Sequence, residues 1–125
     1  MNELQYNAVP SPTSGDVERA IAANDSQILK QLVVGVALHW SDVNEAERTC
    51  VILCRHSNEE VRGNAILGFG HLARRFGVLS PSLEAVIEAG MRDESGYVRG
   101  QAWAAADDVN HFLGWDIKCY EQGEV

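Results

Sequence analysis

An internal repeat constrains the fold of this chain more than any other feature of its sequence. Residues 61–77 and residues 98–114 align at a shift of 37, and the two segments share Val, Arg, Gly, Ala and a closing Gly at matching positions. A period of this length is typical of two-helix units that bury their apolar faces only by packing on a neighbouring unit. The sequence therefore predicts consecutive helix pairs.

The spacing of apolar residues within each copy indicates a helix. They recur three and four positions apart, which places them on one side of an α-helix. These residues are Val61, Ala65, Gly68, Phe69, Leu72 and Phe76 in the first copy and Val98, Ala102, Ala105, Ala106, Val109 and Leu113 in the second. At the same shift, Ile28, Leu32 and Gly35 fall under Ala65, Phe69 and Leu72. We therefore expect a degenerate first repeat, as a terminal unit with one face in water requires.

This pattern resembles the HEAT repeat, whose second helix has Val-Arg, then Ala at the fourth position after Val, then a large apolar residue followed by Gly. The matching residues are Val61, Arg62, Ala65, Phe69, Gly70 and Leu72 in the first copy and Val98, Arg99, Ala102 and Val109 in the second. The second copy departs at Asp107, where the family usually has Gly. The resemblance covers roughly residues 41–114. It implies an all-α fold, a short α-solenoid of about three HEAT-like antiparallel helix pairs, but this fold serves many functions.

Chain length and composition predict one domain. A chain of 125 residues with 46% hydrophobic residues can build one continuous core. We expect a single HEAT-like domain over residues 1–125, with a loose N-terminal arm at 1–13 and a C-terminal cap and tail at 115–125.

Capping residues predict where the helices begin and end. Ser14 or Thr13, Ser41 and the pair Ser80-Pro81 are placed as helix starts. Gly96 lies in a turn and is expected to take a positive φ. The result is a prediction of six helices without a strand.

Charge suggests the kind of partner. The formal net charge is −8: residues 1–77 carry 9 acids and 7 bases, a net of −2, while residues 78–125 carry 9 acids and 3 bases, a net of −6. Direct contact with a phosphate backbone needs clustered Lys and Arg, so this balance disfavours nucleic acid and favours a basic protein partner. The alternative is that the acidic surface serves only solubility.

The compartment is inferred from the cysteines and from apolar segments. The chain has 3 cysteines and a polar beginning with Asn2, Glu3 and Gln5, which does not fit a secretory signal. No apolar segment approaches the roughly 20 residues needed to cross a bilayer. We expect a cytoplasmic protein without membrane contact.

No residue pattern points to catalysis, a metal or a cofactor. Cys50 and Cys54, with His39, His56 and His71, could be imagined as zinc ligands, but small buried core residues are the better interpretation of the two cysteines. No His-Glu dipeptide of the kind that binds iron in some HEAT-like enzymes occurs. The serines fall at predicted caps or turns, which explains them without a nucleophile. Arg62 and Arg99 are expected to bind turn carbonyls or carboxylates such as Asp93.

The surface of the second helices remains as the candidate site. A helical wheel places Gly63, Leu67, Gly70 and Arg74 opposite the apolar stripe, and their equivalents are Gly100, Ala104, Asp107 and His111. The resemblance implies that these residues line a concave groove with a floor of small side chains. The alternative for the glycines is close packing by a neighbouring helix. The predicted partner-binding residues are Glu60, Asp93, Glu94, Tyr97, Trp103, Asp107, Asp108 and His111.

Two functions follow as hypotheses. The sequence resembles the small HEAT-like immunity proteins encoded beside contact-dependent or polymorphic toxins, which implies a non-catalytic protein that neutralises a cognate toxin, here a basic nuclease. The alternative is a HEAT-repeat scaffold or lyase-type protein that holds a ligand in its groove.

Overall fold

The computed structural model describes residues 10–118, which form six α-helices and contain no strand. The helices are α1 (Ser14–Ala23), α2 (Ser26–His39), α3 (Val43–Leu53), α4 (Glu59–Phe76), α5 (Leu83–Gly90) and α6 (Gly96–Leu113). The all-helical prediction is confirmed for this part of the chain. None of these helices has both the length and the apolar character that a membrane crossing demands.

Helix α4 is the centre of the structure. It contacts α2 and α6, and α2 does not touch α6 within the described residues. The shorter helix α3 packs against α2 and α4, α5 packs against α6 and α4, and α1 packs against α2. The core lies between the long and the short helices, and its largest fully buried side chains include Phe69, Leu29, Leu53, Leu72 and Ile87.

Local capping chemistry explains several of the helix ends. Thr13 and Asp16 form a reciprocal capping box at α1, which confirms a start at Thr13. Asn58 caps α4 and Ser95 caps α6, 37 residues apart. Both helices end at a left-handed glycine, Gly77 with φ 68° and Gly114 with φ 70°.

The two arginines of the repeat make the same contact in both copies. In each, Nη1 donates hydrogen bonds to two backbone carbonyls of the turn before its own helix. The acceptors are His56 at 3.2 Å and Ser57 at 3.1 Å for Arg62, and Asp93 at 2.8 Å and Glu94 at 3.1 Å for Arg99. All three of these positions are shifted by 37 residues. The predicted structural role of the arginines is confirmed.

The predictions for Ser41 and Gly96 are wrong. Asp42 and not Ser41 caps α3, and its carboxylate accepts from the backbone N–H groups of Asn44 and Glu45, at 2.9 and 3.2 Å. A carboxylate gains from the positive end of the helix dipole as well as from these hydrogen bonds. Gly96 does not have a positive φ, because it is the first residue of α6 behind the Ser95 cap.

The predicted helix start at Ser80 is also wrong. Helix α5 begins at Leu83, and its preceding residue makes no side-chain cap. Ser80 instead binds Glu47 of α3, with its backbone N–H at 2.9 Å and its hydroxyl at 2.5 Å from the two carboxylate oxygens. This contact fixes the loop between α4 and α5 against α3.

The first helix pair is displaced by one residue from its predicted alignment. Ile28, predicted to face inward, is 49% exposed. Leu29, Val33 and Val36 are fully buried, and they align with Ala65, Phe69 and Leu72 at a shift of 36. Adjacent apolar residues offered two possible stripes here, and packing on α4 selected the second.

The described part of the predicted N-terminal arm is packed. Pro12 is buried, and its carbonyl accepts a 2.7 Å hydrogen bond from the indole N–H of Trp40. A Cβ at Gly35 would lie 2.5 Å from the Pro10 carbonyl oxygen, so the arm lies directly on α2. Residues 1–9 are outside the described range.

Residues 114–118 follow α6 and return to it. Ile117 is buried, and the Asn110 side chain binds both its N–H, at 2.8 Å, and its carbonyl, at 2.9 Å. The rest of the predicted C-terminal tail, from residue 119, lies outside the described residues.

Candidate partner-binding surface

Helix α6 occupies the space where small residues were predicted to floor a groove. A Cβ at Gly63 would lie 2.8 Å from ring carbons of Tyr97, and one at Gly70 would lie 2.9 Å from the Asp108 carboxylate. Both glycines are buried. The predicted open floor is therefore wrong at Gly63 and Gly70, and close packing by a neighbouring helix accounts for them. Gly100 differs, since nothing lies within 4 Å of its Cβ position.

Tyr97 is held in place by a hydrogen-bond network across three helices. Its hydroxyl donates to the side-chain oxygen of Asn64 on α4. Gln101 donates to the same oxygen at 3.3 Å and to the Tyr97 hydroxyl at 3.2 Å, while Asn64 donates to the Lys30 carbonyl of α2 at 3.0 Å. Burial raises the pKa of Tyr97. The ring is still 42% exposed, so it is a surface aromatic with a fixed position.

Two of the predicted binding acids are already paired within the protein. Asp93 accepts two hydrogen bonds from Arg62, at 2.9 and 2.8 Å, and these bonds lower its pKa. The two side chains are 18% and 15% exposed, which leaves little of either charge to a partner. Glu60 pairs with Lys30 at 3.3 Å but keeps 47% of its side chain exposed. Glu94 and Asp107 are exposed.

The remaining predicted residues fall on two different sides of α6. A helix returns to nearly the same side 7, 11 and 14 residues on, because each residue turns it by about 100°. We call the side shared by the two long helices the α4–α6 surface. It consists of Glu60, Leu67, His71 and Arg74 on α4 and of their equivalents Tyr97, Ala104, Asp108 and His111 on α6, and Arg74 and His111 lie at its edge.

Trp103 and Asp107 lie on a different side of α6 from Tyr97 and Asp108. They are four residues apart, and Asp107 is about 100° from its neighbour Asp108. Trp103 is 40% exposed. We call the group Arg99, Gly100, Trp103 and Asp107 the α6 end surface. The structure thus separates the two aromatic residues, Tyr97 and Trp103, that the sequence had suggested would act together.

Charge on the α4–α6 surface is mixed. Arg74 approaches His71, with 3.4 Å between Nη2 and Nδ1. Burial lowers the pKa of His71, Arg74 lowers it further, and Asp108 opposes them. His111 is exposed and packs edge-on against Phe112, which is 44% exposed. Sequence reasoning missed His71 as a neighbour of Asp108, although the shift of 37 pairs the two positions.

Cys50, Cys54 and His56 are engaged in ways that oppose metal binding. Cys50 is fully buried, and burial raises its pKa to about 12. Cys54 donates to the Val51 carbonyl at 3.1 Å. His56 uses both ring nitrogens, with 2.7 Å from Nε2 to Asn24 and 2.9 Å from Nδ1 to a backbone N–H. Residues 10–118 contain no group of three or more His, Cys, Asp or Glu side chains that could hold a metal ion.

Comparison with models of protein families gave no match, and comparisons with curated proteins and with solved structures gave none either.

Proposed function

We propose that this chain is a non-catalytic protein-binding module built as a short HEAT-like solenoid. Support for the solenoid comes from the order of contacts, in which α4 packs between α2 and α6 and the short helices bridge the long ones. Further support comes from the arginine contacts that recur after 37 residues. Successive units related in this way present a continuous surface, and solenoids use such surfaces for binding.

The observation that carries the proposal is the fixed aromatic ring of Tyr97 on the α4–α6 surface. Binding energy concentrates in a few aromatic and Arg residues, and an anchor that is already ordered loses little conformational entropy on binding. Tyr97 meets both conditions, because Gly63 and Asn64 hold it while 42% of its surface is exposed. Asp108 and His111 lie on the same surface, about 16 and 21 Å further along α6.

The partner we propose is a basic protein, and more specifically a bacterial nuclease toxin. This chain would then act as an immunity protein that neutralises the toxin by covering its active site or its substrate path. The net charge of −8 supports this choice, since opposite charge speeds the encounter of two proteins. We place the protein in the cytoplasm, where such a toxin would act.

Two features support binding over the ligand-holding alternative. The space above Gly63 and Gly70, where a small molecule would have to sit, is filled by α6. The Cys50 thiol is buried with its pKa raised to about 12, so it does not supply a thiolate at neutral pH.

Adjacent acids on different sides of α6 provide a matched test. The proposal predicts a toxin gene next to the gene of this chain, and binding kinetics are measured on that toxin domain together with protection from it. Asp108→Lys should slow association and weaken protection much more than Asp107→Lys, which makes the same change of charge about 100° away around α6. Tyr97→Ala should raise the dissociation constant by about 30-fold, the effect of a binding hot spot.

Circular dichroism and thermal melting establish that each variant is folded. If the folded Asp108 and Asp107 variants bind equally well, the α4–α6 surface is not the binding site. If Tyr97→Ala binds as wild type does, Tyr97 is not the residue that anchors the partner.

A further inference from the structure

The side of α4 that packs on the following helix pair has an equivalent on α6, and no helix covers it in the described residues. On α4, Arg62 binds Asp93, Gly63 receives Tyr97, Ile66 packs at Gly90, and Gly70 receives Asp108. A shift of 37 residues converts these four α4 positions into Arg99, Gly100, Trp103 and Asp107, the α6 end surface. The chain has no further helix pair after α6 in the described residues.

Three positions of the α6 end surface, Gly100, Trp103 and Arg99, lack the partners that their counterparts on α4 have. Gly100 has nothing within 4 Å of its Cβ position. Trp103 is 40% exposed, whereas its counterpart Ile66 is 3% exposed. No carboxylate among residues 10–118 forms a salt bridge with Arg99, whereas Arg62 binds Asp93. The surface therefore combines an exposed aromatic residue, a glycine that would let another helix pack closely, and charges of both signs.

We propose that a second copy of this chain covers the α6 end surface, with the two α6 helices packed antiparallel about a two-fold axis at Trp103. Arg99 and Asp107 lie four residues on either side of Trp103, so they are about 12 Å apart along the helix. An antiparallel arrangement places Arg99 of each copy opposite Asp107 of the other. The surface is thus complementary in charge to itself, as a two-fold interface requires.

The other end of the molecule favours this closed dimer over an open chain of copies. Pro10 and Pro12 cover Gly35 on α2, and Trp40 binds the Pro12 carbonyl. The side of α2 that faces away from α4 is therefore occupied by the chain's own arm and α1. A second copy cannot add its first helix pair to α6 as the next unit, whereas α6 against α6 leaves both arms in place.

Gly100 provides the first test, in the full-length protein. The molar mass in solution is measured over a range of concentrations by light scattering and by analytical ultracentrifugation. Gly100→Arg fits the single chain, because the site is open, but it blocks the close approach of a second helix. The expected result is a dimer for wild type, a folded monomer for Gly100→Arg, and a dimer for the control Ala85→Arg at an exposed alanine of α5.

Charge complementation provides the second test. Asp107→Arg alone and Arg99→Glu alone each place like charges opposite each other, and each should raise the dimer dissociation constant by more than about tenfold. A mixture of the two variants pairs Arg with Glu and Arg with Asp in one heterodimer. The mixture should therefore recover the dimer that neither variant forms by itself.

Several results would overturn the proposal. These are a wild-type protein that stays monomeric at every concentration, a Gly100→Arg variant that still dimerises, or a mixture of charge variants that does not associate. A chain ending at residue 118 that dimerises while the full chain does not would show that residues 119–125 occupy the surface, and would equally refute a dimer of the full protein.

Discussion

The same Gly→Ala substitution at two equivalent positions should change stability in opposite directions. Gly63 and Gly100 are 37 residues apart and occupy the same place in the repeat. A Cβ at Gly63 would lie 2.8 Å from the Tyr97 ring, closer than carbon atoms can approach, while a Cβ at Gly100 meets nothing within 4 Å. The local helix is the same, so the difference isolates the effect of the neighbouring helix.

The magnitude follows from two opposing effects. Alanine in place of glycine inside a helix stabilises by about 0.5–1 kcal/mol, and Gly100→Ala should show this gain in full. At Gly63 the same gain opposes an overpacking cost of about 1–3 kcal/mol. The Tyr97 ring can relieve the clash by turning outward, but this breaks its hydrogen bond to Asn64. Gly63→Ala should therefore lie about 1–3 kcal/mol below Gly100→Ala in stability.

Urea unfolding followed by circular dichroism measures both variants against wild type, at a dilution where the chain is monomeric. The reasoning fails if Gly63→Ala stabilises the protein as much as Gly100→Ala does. Loss of the Tyr97 contact is checked independently by the ring resonances of Tyr97 in NMR spectra, which should shift in the Gly63 variant alone.

Three further predictions concern charge and burial. Arg62→Ala should lower the unfolding free energy by about 2 kcal/mol and Arg99→Ala by about 1, since only Arg62 also holds a carboxylate, that of Asp93; equal losses in urea titrations would contradict this. Burial lowers the pKa of His71 below its usual 6.5, so the unfolded chain binds the proton more readily and stability should fall as the pH drops below about 6.5; His71→Gln should flatten that part of the stability profile. The Cys50 thiol, with its pKa raised to about 12, should resist alkylation at pH 8 until the protein unfolds, as peptide mass spectrometry can show.

Sequence patterns determined most of the helical framework. The apolar spacing around Phe69 and Val109 predicted two long helices, and both residues are fully buried. Left-handed glycines at Gly77 and Gly114 end these helices, at the positions where each copy of the repeat closes. The structural role of Arg62 also followed from its place in the repeat. The apolar spacing, the glycine ends and the contacts of Arg62 with His56 and Ser57 all lie within a few residues of the chain, and their signal is therefore local.

Local patterns failed where two choices were equally good nearby. Ser41 and Asp42 are both capping residues, and only the geometry of the first turn of α3 selects Asp42. Ile28 and Leu29 are both apolar, and the packing of α2 on α4 decides that Leu29 is buried while Ile28 is 49% exposed. When neighbouring positions have similar side chains, a periodic pattern cannot determine which of the two is the cap or the buried residue.

The candidate site depended on tertiary structure much more than the helices did. The sequence predicted Asp93 both as a carboxylate for Arg62 and as a partner-binding acid, and the contact with Arg62 leaves only 18% of the Asp93 side chain exposed. The sequence also suggested an open groove at Gly63 and Gly70, which α6 fills. Tyr97 and Trp103 appeared as one aromatic pair, yet they face different sides of α6. Composition and spacing determine which side chains a helix carries. What covers a side chain depends on helices that are 30 or more residues away in the chain, and only their packing decides it.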